Sequence, residues 1–253
     1  MLAIFQKAFA HPPEELHSPA SKDQTSKCPD QILHDFLSLY PQNSVCTKFG
    51  DRAVLAYVRS QEQPGFRRVF CGVDEVYCQF KGNLDNLSSL IRQYGLCKAT
   101  NEGQLIIEAY KTLRDRGPYP ADQVIKDFHG RFGFVIYDSR SGAVFTALSE
   151  DGGMEMYWGI AADGSVVLSD EMQLLKAGCG KSFAPFPPGC MFHSGSGVQS
   201  FEHPMHKVTA IPRVDSEGVM CGANFKVDAY TRVNTMPRVG SAANWSAWAA
   251  QSQ

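Results

Sequence analysis

From Asp127 to Gly153 the chain reads DFHGRFGFVIYDSRSGAVFTALSEDGG, and apolar residues fill both alternations of an extended strand. Phe132, Phe134 and Ile136 fall on one side and Val135 and Tyr137 on the other, with Gly133 leaving room for close packing. Ser139-Arg140-Ser141-Gly142 has turn chemistry, and residues 143–148 return as a second strand that is equally apolar. A hairpin apolar on both faces requires partners above and below it, which predicts a layered structure with this hairpin inside. The acidic, glycine-rich residues 149–153 predict an exposed turn at the end of a central strand, and a candidate wall of a site.

The remaining pattern supplies the other elements. Residues 2–5 read as a short buried strand, and the polar, proline-containing residues 11–28 as a surface loop. Pro29 opens a helix with Ile32, Leu33, Phe36, Leu37 and Tyr40 on one face, and Pro41 closes it. Residues 52–59 alternate partly and predict a strand; residues 67–73 and 76–80 predict two more, joined by Asp74-Glu75. Leu84, Leu87, Ile91 and Tyr94 form a helical stripe, begun by Asn83 and stopped by Gly95. Asn101 with Gln104 is a capping box for a helix carrying Leu105, Ile106, Ala109, Tyr110 and Leu113. A short helix is expected over residues 121–128, a hairpin over 156–160 and 165–168, and a brief helix from Asp170 to Gly178. Short strands are expected at residues 190–193, 208–211 and 219–227. Antiparallel pairs with a consecutive group of helices predict the α+β class, with residues 1–230 as one domain and residues 231–253 as a flexible tail.

Composition narrows the function classes. Of 253 residues 43% are hydrophobic and 20% charged, as in a globular protein with a sizeable core. A net charge of −2 with interspersed signs and no basic run excludes an electrostatic case for nucleic acid. Eight cysteines stand singly with no CxxC, which predicts reduced thiols and a cytoplasmic protein, nuclear or membrane-associated placement being left open. The N-terminal MLAIFQKAFA lacks the charge and apolar length of a signal peptide, no window is long enough for an integral membrane segment, and Leu2 excludes myristoylation.

Several side chains tempt a sharper reading. Cys190, His193, His203 and His206 do not have structural zinc spacing and read as scattered sheet or surface residues. Arg114, Asp115 and Arg116 read either as an anion or partner site or as a helix C-terminus tied by salt bridges. Asn83 and Asn86 read as helix starters, Tyr157 and Trp158 as core aromatics, and Cys28, beside Lys27, as the most exposed thiol. No metal or cofactor is expected, and no carboxylate cluster suits a hard trivalent ion.

Placed in this order, four stretches resemble the glutaminase domain of class II glutamine amidotransferases, asparagine synthetases in particular. Phe80-Lys81-Gly82-Asn83-Leu84-Asp85-Asn86 resembles that family's F-N-G-E-I-Y-N turn, and Asn101-Glu102-Gly103-Gln104 its S-D-x-E helix start. Residues 130–138 resemble its D-G-x-F-A-F-x-x-Y-D strand, and Phe186-Pro187-Pro188-Gly189 its P-P-G turn. A narrower likeness covers nearly the whole chain: Tyr94-Gly95-Leu96 and Leu113-Arg114-Asp115-Arg116 are the YGL and LRDR words of a plant family of aluminium-induced, stress-responsive proteins. LRDRGPYPADQV, SFAPFP and GANFKVD agree with it.

The resemblance implies a four-layer αββα sandwich of the N-terminal-nucleophile hydrolase type. It also implies a mechanism in which an N-terminal cysteine attacks the glutamine amide and its own α-amino group serves as base. Here Leu2 occupies the nucleophile position, and its bulk is expected to hinder removal of Met1. Lys81 stands where the oxyanion-hole asparagine is expected, beside a retained Gly82, and Glu102 where a glutamine-binding aspartate is expected. Asn86 belongs to the same remnant pocket, and Arg59 is the candidate for the substrate-carboxylate arginine. These residues imply a non-catalytic binding or assembly protein, with a small amide or amino acid as ligand and a homodimer by resemblance. The alternative is an active amidohydrolase using another nucleophile or a processed N-terminus, for which Cys28 is the early cysteine.

Overall fold

A computed structural model describes residues 1–18, 26–59, 67–115, 121–214, 218 and 220–232. In chain order the elements are β1 (Leu2–Phe5), α1 (Pro29–Leu39), β2 (Ser44–Phe49), β3 (Ala53–Val58), β4 (Arg67–Val73), β5 (Val76–Leu84), α2 (Leu87–Gln93), α3 (Glu102–Asp115) and α4 (Ala121–Lys126). Then follow β6 (Gly130–Asp138), β7 (Ala143–Leu148), β8 (Tyr157–Ile160), β9 (Val166–Ser169), α5 (Met172–Cys179), β10 (Phe183–Pro185), β11 (Cys190–His193), β12 (Gly197–Ser200), β13 (His206–Val214) and β14 (Met220–Arg232). The chain gathers into two units, one from residues 1–61, 155–187 and 208–226, the other from residues 62–154, 188–207 and 227–253. The content is α+β, as the pattern of strands and helices predicts.

The first unit is built on an antiparallel sheet in the order β10-β8-β9-β1-β3-β2. Four apolar residues at the start of the chain form an interior strand, with Leu2 opposite Ala56 on β3 and Ser169 on β9. All four are buried, because an interior strand covered on both faces has no side on which to place a polar residue. Leu2, Ile4, Ala56 and Val167 share one cluster with Ile32, Leu33 and Phe36 of α1 and Leu174, Leu175 and Cys179 of α5. A Cβ at Gly178 would lie 2.8 Å from the Ile32 side chain, so glycine lets the two helices approach.

The second unit carries a sheet in the order β12-β11-β7-β6-β5-β4, which places the doubly apolar hairpin β6–β7 at its centre. Phe134, Ile136 and Phe145 pack in one cluster with Leu105, Ile106, Ala109, Tyr110 and Leu113 of α3, while Val135 and Tyr137 are buried on the other face. The hairpin turn is fastened by Asp138. Its Oδ1 accepts from the backbone N–H groups of Arg140 (3.1 Å) and Ser141 (3.3 Å), and its Oδ2 from Arg114 Nη1 (3.0 Å) and the Tyr110 hydroxyl (3.3 Å). Arg114 also grips Asp115 through two hydrogen bonds of 2.7 and 3.0 Å. Of the two readings of Arg114 and Asp115, the helix end tied by salt bridges is the one observed; Arg116 lies outside the described residues.

Some boundaries differ from the sequence pattern. β5 runs on to Leu84, which pairs with Gly130, so Asn83 and Leu84 belong to a strand and α2 starts only at Leu87. Asn86 precedes that helix, but its side chain donates to the Asp127 carbonyl (2.7 Å) and accepts from the His129 N–H (3.1 Å) instead of capping. Asp170 does not start α5, which begins at Met172, because its carboxylate is taken by the chain's N-terminus. Strands β2, β10 and β12 have no strong alternation, so the sequence pattern does not predict them. Residues 233–253, with Trp245 and Trp248, lie outside the described residues. Among the described residues no helix is long and apolar enough to cross a membrane.

Two predictions follow from the packing. Arg114→Met leaves the Asp138 carboxylate buried and robbed of its cation, so urea denaturation should show a loss of about 3–5 kcal/mol, against below about 1 kcal/mol for an ordinary surface pair. The second concerns His193, whose burial pulls its pKa down to about 4 and whose Nδ1 accepts from the Gly195 N–H at 3.0 Å. Because the folded pKa lies below the unfolded value of about 6.5, the unfolded chain binds more protons in between. This contribution is complete above about pH 6.5 and is lost as pH falls towards 4, on the order of 3 kcal/mol. The stability difference between the natural chain and His193→Leu should fall by that amount across this window; a pH-independent difference would contradict it.

Candidate functional site

In the first unit, residue 1 sits in a socket at the end of the interior strand. The Met1 ammonium is ion-paired with the Asp170 carboxylate, with side-chain exposures of 7% and 0%. The Met1 carbonyl accepts from the Ser169 hydroxyl at 2.9 Å and from the Asp170 N–H at 3.4 Å. Leu2, the next residue, is fully buried. Leu2 has no nucleophilic atom, and an ammonium held by a carboxylate has no lone pair with which to act as a base.

The second unit assembles a different set of groups. At Gly82 the backbone has φ of +125°, and a Cβ there would stand 2.0 Å from the Arg131 carbonyl oxygen, so only glycine fits. Gly82 lies opposite Phe132 on β6 and Arg67 on β4, and Lys81 lies opposite Gly133 and Arg68. Glu102 is placed by the start of α3. The Asn101 side chain accepts from the Gln104 N–H (2.9 Å) and the Gln104 side chain from the Asn101 N–H (3.1 Å), a reciprocal cap that brings Glu102 into the first turn. The helix dipole favours an acid there. Its side chain is 2% exposed; Oε1 lies 3.7 Å from Arg67 Nη1, and Oε2 has no hydrogen-bond partner among the described residues. A buried carboxylate with an unfilled oxygen is costly unless it meets a donor or a cation.

The expected pocket residues therefore separate. Gly82 and Glu102 come together through Arg67, which faces the first and reaches the second. Asn86 serves as a backbone clamp. Arg59 belongs to the first unit, where it is exposed and its N–H donates to the Asn43 carbonyl at 2.7 Å. Arg67 was not anticipated. The signal for it is the hairpin about Asp74-Glu75, both at positive φ, whose register sets residue 67 opposite residue 82.

Two concavities lie in the same unit. Residues 149–151 of the acidic turn line one of about 500 Å³, together with Lys126, Phe128, His129, Phe132 and Phe201. Ser149 holds that turn by accepting from the Phe132 N–H (3.1 Å) and donating to Asp151 (2.9 Å). The other, of about 640 Å³, is lined in part by Tyr94 and Leu96 of the YGL word and Asp115 of the LRDR word. Gly95, with φ of +65°, ends α2 there, and Leu96 N–H donates back to Ile91 at 2.9 Å. Cys190 and His193 stand three residues apart on β11 and so point to opposite faces, while His203 stacks on His206 at 5.3 Å. No group of three potential metal ligands occurs among the described residues.

Comparison with known proteins shows the family to which the chain belongs. The chain is 36% identical over 149 residues to the stem-specific protein TSJT1 of Nicotiana tabacum, covering 58% of this chain and 99% of that protein. It is 37% identical over 73 residues to a probable glutamine-hydrolysing asparagine synthetase of Dictyostelium discoideum, and 41% over 68 residues to that of Asparagus officinalis. Those matches cover 29% and 27% of this chain but only 13% and 11% of the synthetases, so the chain corresponds to a small part of them. Among solved structures, the glutamine phosphoribosylpyrophosphate amidotransferase of B. subtilis aligns with a TM-score of 0.49 at 14% identity, covering 79% of this chain and 48% of that one. The family model described as aluminium induced protein matches residues 2–227, and the chain belongs to that family.

Proposed function

We propose that this protein is a glutamine amidotransferase-like binding protein without glutaminase chemistry, taking an amino acid or small amide by its ammonium end at Glu102. The observation that carries the reading is the buried Leu2 in the nucleophile position, next to a terminal ammonium already committed to Asp170. Loss of the nucleophile removes the covalent route, and charge stabilisation alone leaves only a small residual rate. Glu102 supports the binding half. Its buried carboxylate has one oxygen without a hydrogen-bond partner among the described residues, which a ligand's ammonium would fill. A new N-terminus at Cys28 would discard β1, the strand that joins β9 to β3, and with it the centre of the first sheet.

Glu102→Gln separates a binding role from a structural one. By titration calorimetry the natural chain should bind L-glutamine or L-asparagine more tightly than the analogue lacking the α-amino group. The variant should lose at least roughly tenfold in affinity, the value of one charge-assisted contact of about 1.5–3 kcal/mol. Its unfolding free energy should stay level or rise by about 1 kcal/mol, since a poorly satisfied buried charge is removed. Equal affinity for the deaminated analogue, or a variant that binds as before, would contradict the assignment.

A further inference from the structure

The edge hairpin of the second unit places two thiols face to face. Cys71 on β4 and Cys78 on β5 are direct register partners, equidistant from the tight Asp74-Glu75 turn. Residues directly opposite on antiparallel strands have Cα atoms about 4.5–5.5 Å apart, inside the range of about 4.4–6.8 Å that a disulfide spans. As direct register partners, their side chains leave the same face of the sheet. Cys71 is half-buried on the edge strand, whereas Cys78 is fully buried behind it. The contact is shaped to hold sulfur: a Cβ on Gly103 of α3 would stand 2.7 Å from Cys71 Sγ.

We infer that Cys71 and Cys78 form a reversible redox site that reacts with small-molecule disulfides of the glutathione type. The two thiols have different parts. The Cys78 thiol donates a hydrogen bond that draws the Cys71 thiol below its ordinary pKa, against the opposing effect of burial. Burial, followed by the contact with Cys71, pushes Cys78 well up. Cys71 is therefore the attacking sulfur and Cys78 the resolving one.

The Cys71 thiolate attacks one sulfur of the external disulfide. Its S–S bond breaks, a thiolate leaves and takes up the proton that Cys71 gave to solvent. Cys78 then attacks the Cys71 sulfur of the mixed disulfide and loses its own proton to the second departing thiolate. The balance is two protein thiols and one external disulfide giving one cross-strand disulfide and two small thiols. The other cysteines with described surroundings lack such a partner in strand register; Cys179 and Cys190 are buried with pKa values pushed up to about 12.

The test uses the full reduced chain, equilibrated in glutathione buffers of increasing oxidised fraction, acid-quenched, alkylated and digested with trypsin. Cleavage after Arg68 and Lys81 leaves both cysteines in one peptide, VFCGVDEVYCQFK. The expected result is that peptide lighter by two hydrogens, unalkylated at both cysteines, and restored by dithiothreitol. With Cys78→Ser the same treatment should leave glutathione attached at Cys71, and with Cys71→Ser the buried Cys78 should remain reduced while circular dichroism reports a folded chain. Full alkylation of both cysteines in the oxidised buffers overturns the proposal. So does a glutathione adduct on Cys71 of the natural chain that never resolves, or oxidation confined to the exposed Cys28 and Cys97.

Discussion

The ion pair between the Met1 ammonium and the buried Asp170 carboxylate is the constraint on which the first unit depends. It fixes where β1 begins and hence the register of Leu2 with both Ala56 and Ser169. Without a strand in that place, β9 and β3 have no connection in the sheet, and the apolar faces of α1 and α5 lose the surface they cover. A desolvated ammonium and carboxylate tolerate this position because each neutralises the other and the Met1 carbonyl is also satisfied. The same pairing holds the α-amino group as a structural cation.

The second unit is organised by a different necessity, the need to cover a hairpin that is apolar on both faces. α3 lies over one face and brings two functional consequences with it. Its C-terminal turn delivers Arg114 to Asp138, which makes the LRDR word a fastening between helix and hairpin. Its N-terminal turn delivers Glu102 towards Arg67 beside the glycine-only position 82. The YGL word has a comparable origin, in that Gly95 supplies the left-handed residue that stops α2.

Much of this was legible in the sequence. The 127–153 hairpin, the buried N-terminal strand, the Asn101–Gln104 cap and the hairpin about Asp74-Glu75 all follow from local pattern, and the structure contains each of them. What was hidden depends on tertiary pairing. Leu84 satisfies a helical stripe and a strand equally well, and only its pairing with Gly130 decides for the strand. Asn86 has the chemistry of a cap, yet two backbone groups near residue 128 compete for it and win. Arg59 and Arg67 are indistinguishable as isolated arginines, and the register of β4 with β5 is what sets Arg67 near Glu102. The thiols show the same limit, since a search for CxxC overlooks two cysteines related by the symmetry of a turn.

On the proposed reading, the glutamine amidotransferase-like architecture is kept while the nucleophile is lost. Weighing the intact mature chain and, on the same sample, measuring ammonia release from L-glutamine decides the matter. The expected result is a chain that still begins Met1-Leu2 and releases no ammonia above the buffer rate. A chain trimmed to a new N-terminal nucleophile, or ammonia release that survives repurification, would contradict it.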